Sequence, residues 1–141
     1  MLLWTREFGT ALNETAYDVA VGAGGSVVVV GATEGRLSDQ TPMGGTDAFV
    51  RAYDTDGAEQ WTRQFGSPAD DAAYGITTDD SRNAYVVGRT RGTLPGQITE
   101  GDDDAFVRKY HGDGTEAWTR QFGSLSAVAF DDVAVDSVGS L

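Results

Sequence analysis

A phrase that returns twice in unbroken register constrains this chain more than any other feature. Trp4, Trp61 and Trp118 stand 57 residues apart, and each opens the run Trp-Thr-Arg-Glu/Gln-Phe-Gly-Thr/Ser. Between the first two units, Tyr17 matches Tyr74, Gly31 matches Gly88 and Gly35 matches Gly92. The run Asp47-Ala48-Phe49-Val50-Arg51 matches Asp104-Ala105-Phe106-Val107-Arg108, and Tyr53, Gly57 and Glu59 match Tyr110, Gly114 and Glu116. A period of this size means one supersecondary unit stacked on copies of itself, because a single unit cannot bury both of its faces.

Four short strands are predicted within each unit: 18–21, 26–33, 47–54 and 59–66 in the first, then 75–78, 83–90, 104–110 and 116–123 in the second. The first-to-second and third-to-fourth connections are tight and turn-rich (Gly22-Ala23-Gly24-Gly25 and Asp54-Thr55-Asp56-Gly57 in the first unit), which predicts antiparallel hairpins. In the third strand Phe49, Arg51 and Tyr53 alternate with Ala48, Val50 and Ala52, so large groups point one way and small groups the other. Trp61, Arg63 and Phe65 share a face of the fourth strand and return as Trp118, Arg120 and Phe122. Trp4, Trp61, Trp118, Phe49, Phe106, Tyr53, Tyr110, Arg63 and Arg120 are therefore read as structural repeat positions, filling contacts between units and pairing with acids.

The expected architecture is all-β: blades of a β-propeller, each a four-stranded antiparallel meander, packed face to face. Residues 1–9 are expected to be the outer strand of a preceding blade, 10–66 and 67–123 two complete blades, and 124–141 the start of a third. In that third unit Phe130 falls one position earlier than Tyr17 and Tyr74 predict, and the sequence stops where its second strand should begin. A closed propeller takes typically four to eight blades. Two blades leave wide apolar faces in water, which predicts a homo-oligomer that completes a ring or association with additional propeller blades.

Three of these phrases, Trp-Thr-Arg-Gln-Phe-Gly, Asp-Ala-Phe-Val-Arg-Lys-Tyr at 104–110 and Ala-Tyr-Val-Val-Gly at 84–88, resemble the seven-bladed β-propeller repeats known as SBBP repeats. The resemblance covers essentially the whole chain, about two and a half repeats. It implies a propeller fold in bacterial or archaeal proteins, often large, at the cell surface or outside the cell. It implies no general catalytic residues.

Charge narrows the choice of partner. The net charge is −12, with 22 acidic against 10 basic side chains and Lys109 the sole lysine, a surface that repels phosphate backbones and anionic lipid. Nucleic acid and membrane insertion are set aside, since no segment approaches the roughly 18 apolar residues of a membrane helix. The first residues also lack the basic stretch and apolar core of an export signal.

Catalytic chemistry finds little material. With no cysteine there is no thiol nucleophile, thiolate metal site or disulfide. His111, the single histidine, falls in a predicted hairpin turn whose counterpart is Asp54, and reads as a solvated turn residue. No cofactor is expected, and no EF-hand-type loop is present for a metal. The expected function is a non-catalytic repeat module with a structural or interaction role. The alternative is a lectin-like or cation-binding propeller whose long-loop rim holds a glycan, a cation or a protein ligand through Asp70, Asp71, Glu100, Asp102 and Asp103. Weaker still is a glycosidase or lyase using a carboxylate pair.

Overall fold

In a computed structural model of the chain, residues 3–98 and 103–123 are described. Eight strands follow one another: β1 (Glu14–Val21), β2 (Val27–Thr33), β3 (Asp47–Tyr53), β4 (Glu59–Phe65), β5 (Asp71–Thr78), β6 (Ala84–Thr90), β7 (Asp104–Tyr110) and β8 (Glu116–Phe122). They form two four-stranded antiparallel meanders, β1-β2-β3-β4 and β5-β6-β7-β8. The all-β expectation holds, and the meanders are propeller-type blades. A 3-10 turn at Ala23–Gly25 joins β1 to β2.

The sheets stack face to face, with β5 against β1, β2 and β3. Cross-strand pairing decides which side chains meet. Val28, Val30, Ala48, Val50 and Ala52 are in register across β2 and β3, and Trp61 and Phe65 pair with Ala52 and Ala48 on the same face. Against this face the second sheet sets Ala73, Ile76, Ala84, Val86, Phe106 and Tyr110, in one buried cluster. Small side chains of one blade thus receive large ones of the next, and the β4 aromatics close the outer side. Phe65 meets Phe106 edge-on at 5.5 Å, and Trp61 tilts over Tyr110 at 5.5 Å.

Tryptophan also fastens the next hairpin. Trp61 donates its indole N–H to the Gly112 carbonyl, and its ring lies where a Cβ on Gly114 would sit, 2.7 Å away. Gly114 has φ +87°, so the turn and the ring both demand glycine. Trp4 does the same one unit earlier, donating to the Thr55 carbonyl over Gly57 at φ +82°.

Residues 3–9 depart from the strand expected there: among the described residues no strand pairs with them. They nevertheless pack on the first sheet as β4 packs on the second, Trp4 against Tyr53 at 5.8 Å and Phe8 edge-on to Phe49 at 5.5 Å. The pattern of side chains reproduces an outer strand, but a ladder needs a neighbour. The first strands also begin earlier than expected, at 14 and 71. The register slips between Ala16 and Asp18 and again between Ala73 and Gly75. Tyr17 and Tyr74 are the extra residues of these bulges, which breaks the alternation by which strands are recognised. Gly31 and Gly88 stand opposite, where a Cβ would run into the Thr15 or Ala72 carbonyl. The expected third blade over 124–141 lies outside the described residues.

Candidate functional site

The antiparallel order sends the β2–β3, β4–β5 and β6–β7 connections to one end of the blades and the tight hairpins to the other. At the long-loop end a glutamine anchors each β-meander. The Gln64 side chain donates to the Gly35 carbonyl and the Asp47 carboxylate and accepts the Leu37 amide, while its own backbone amide donates to Gln40 Oε1. Gln121 repeats the set with Gly92, Asp104, Leu94 and Gln97. These contacts fold each long β2–β3-type loop down onto its own sheet, with Leu37 and Leu94 almost fully buried.

A second network lies at the junction of the two units. Asp71 accepts the Ser67 amide at 2.8 Å, the Ser67 hydroxyl at 3.0 Å and the Thr90 hydroxyl at 2.5 Å. Asp71 is 3% exposed, and burial pushes its carboxyl up to about 6, with the nearby Asp47 charge adding to the shift against the hydrogen bonds. Asp47 is also raised by burial, and its Oδ1 has no hydrogen-bond partner. A Cβ on Gly66 would run into both carboxylates, so these two acids of neighbouring blades are close together.

Above them a cleft of about 210 Å³ opens between the sheets, lined by Tyr17, Thr46, Asp70, Tyr74, Arg89 and Arg91 over Ala32, Asp71 and Ala72. The two bulge tyrosines meet in it, rings 4.8 Å apart and tilted by 55°. Arg89 crosses the Tyr74 ring at 5.8 Å and donates weakly to its hydroxyl at 3.3 Å. Asp70 accepts the Thr46 amide through Oδ1. Arg91, more than half exposed, pairs with Asp103 at 3.2 Å.

Of the expected rim residues, Asp70 lines the cleft and Asp103 reaches it through Arg91. Asp71 differs from expectation: it is built into the junction of the two blades, because an acid opening an inner strand is covered as soon as a second blade stacks on it. Glu100 and Asp102 lie outside the described residues. Among the described residues no three His, Cys, Asp or Glu side chains are placed to hold a metal. Sequence reasoning missed Tyr17, Tyr74, Arg89 and Arg91. Their signal lay in the repeat itself, since Arg89 and Arg91 stand where the first unit has Ala32 and Glu34.

The structural roles of the repeat residues follow from their contacts. Arg51 and Arg108 lie 4.4 and 4.3 Å over the rings of Phe8 and Phe65, and they bond Glu59 and Glu116. Arg63 and Arg120 lean over Trp61 and Trp118 and donate to the carbonyls of Thr62 and Thr119. His111 is exposed in the β7–β8 hairpin, at the end away from the cleft.

Two stacked meanders, with Trp4 and Trp61 each locked on the hairpin of the unit that follows, define a β-propeller repeat fold. Residues 60–94, from β4 across the junction into the loop after β6, match the SBBP β-propeller repeat, and the chain carries that repeat. It is also 31% identical, over 96% of its length, to a protein of Caulobacter vibrioides named regulatory protein FlaEY. The chain spans 16% of that relative.

Proposed function

We propose that this chain is a non-catalytic propeller-blade module that works by stacking. In this reading the open face of its first sheet is covered by another blade, from a second copy or from adjoining repeats, and its role is structural or interaction-based. One observation carries it. Val19 and Val21 are 56 and 72% exposed, whereas Ile76, the counterpart of Val19, is 4% exposed beneath the first sheet. The first sheet presents the same face as the second without the neighbour that covers it. Kinship with the SBBP repeat, and with a relative whose name is regulatory rather than enzymatic, supports the same reading.

The carboxylate-pair alternative has one point in its favour, the close approach of Asp47 and Asp71 with one carboxyl raised to about 6. Against it, Asp47 is 0% exposed and Asp71 is saturated by hydrogen bonds from Ser67 and Thr90, so neither can meet a glycosidic oxygen. Turnover on a broad polysaccharide panel would reverse that judgement.

Light scattering of the purified chain over a range of concentrations tests the stacking. The expected result is concentration-dependent association that Val19→Asp and Val21→Asp abolish. A monomer at every concentration would remove the form built from copies. Fusing one further 57-residue unit ahead of the chain then decides, because covering the first face must raise Tm. An unchanged Tm in that fusion would sink the reading.

A further inference from the structure

The cleft between the blades carries a ligand assignment of its own. Its walls are where the repeat is broken. Arg89 occupies the position of Ala32, Arg91 that of Glu34 and Asp70 that of Asn13, so three groups of the second unit that line the cleft each differ from their first-unit counterparts. Departures from a repeat that cluster at one opening of a rigid scaffold mark a binding surface rather than a packing need.

We propose that this cleft binds one ring of a neutral sugar, stacked on Tyr17 and held through its hydroxyls by Arg89, Arg91 and Asp70. Three observations lead there. Tyr17 keeps 48% of its surface open while Tyr74 backs it, which leaves a flat, supported aromatic face for the C–H side of a pyranose. Among the described residues half-buried Arg89 bonds only the Tyr74 hydroxyl, so a guanidinium with further donors to offer stands at the wall. Asp70 bonds the Thr46 amide through Oδ1, and among the described residues Oδ2 takes no hydrogen bond. A sugar diol both donates and accepts, and so satisfies a guanidinium and a carboxylate at once.

Electrostatics selects the neutral class. The two arginines are offset by Asp70, Asp71 and Asp103 on a chain of net charge −12, so no positive surplus draws in a uronate, a sulfate or a phosphate. A cation fares no better, since Asp103 is paired with Arg91 and Asp71 is saturated. At about 210 Å³ the cleft is smaller than the roughly 300 Å³ at which drug-sized ligands begin to be enclosed, which suits a single ring.

The test is a glycan array carrying neutral, uronate-bearing and sulfated glycans, probed with the intact chain, with hits measured by saturation-transfer NMR. Binding is expected on neutral glycans. Tyr17→Leu, which still covers Tyr74 but offers no flat face, and Arg89→Lys, which keeps the charge but loses the fork, should each weaken it about tenfold. Gln60→Ala, at the opposite end, should leave it unchanged, and thermal melting of every variant confirms that it is folded. Three results would each overturn the assignment: a flat array, binding confined to charged glycans, or neutral binding indifferent to both cleft substitutions. None of these depends on the mass of the particle, so the outcome is independent of the stacking test.

Discussion

The first and second blades carry nearly the same phrase and live in different surroundings. The clearest contrast is one repeat position, Glu14 in the first and Asp71 in the second. Burial raises both carboxyls. At Glu14, only partly buried, the hydrogen bonds from Thr10 and Thr33 win and the group lies below its usual value. At Asp71, sealed by the first blade, burial wins and the carboxyl rises to about 6. A repeat sequence thus specifies which groups converge, and the neighbouring copy decides what that convergence costs.

The sharpest way to break the comparison is to truncate the tryptophans. Trp61→Ala should lower the unfolding free energy by about 4 kcal/mol, since Trp61 is 8% exposed and fastens two sheets. Trp4→Ala should cost about 2 kcal/mol or less, its ring being only partly covered and its segment unpaired. Urea denaturation of the two variants measures the gap, and equal losses would mean that residues 3–9 are as firmly held as β4. Next in size, Ile76→Ala should cost about 3 kcal/mol and Val19→Ala under about 0.5 kcal/mol in the monomer, because only Ile76 is covered. A large loss at Val19 would show that the first face is covered after all.

The acids sharpen the comparison through pH. Asp71 has a raised folded-state value, so its favourable contribution is complete below 3.8 and is lost as pH rises through about 6. Relative to Asp71→Asn, the wild type should therefore lose on the order of 2 kcal/mol between pH 4 and pH 7, followed as Tm. Glu14 has a lowered value, so relative to Glu14→Gln the wild type should gain stability as pH rises through the carboxylate range. Slopes of the same sign would mean that both acids share one environment. Smallest of all, Glu59→Gln and Glu116→Gln should each cost under about 1 kcal/mol, because these partners of Arg51 and Arg108 are 43 and 42% exposed.

How much of this was legible beforehand differs between scaffold and site. The second, third and fourth strands of each blade lie within one residue of their expected limits, because alternation and turn glycines act locally. The first strands were read four residues short, since a bulge at Tyr17 or Tyr74 abolishes alternation where it occurs. The acidic rim was read from loop composition, which registers where a carboxylate falls in the chain but not whether a second blade will cover it. That is why Asp70 and Asp71, adjacent in sequence, end up in opposite situations, one exposed and one buried. The cleft could have been sought in the residues that break the repeat, Arg89 and Arg91 above all.

Trp4 and Trp61 each close on a glycine hairpin belonging to the unit after them, so hook and eye are encoded in the same 57-residue period but do not meet within one copy. Such a row has a direction and two unlike ends. The same tryptophan-on-hairpin joint serves at both described seams, so a further unit set ahead of the chain or behind it would need no new kind of fastening. The blade is a half-stitch, completed by the unit beside it.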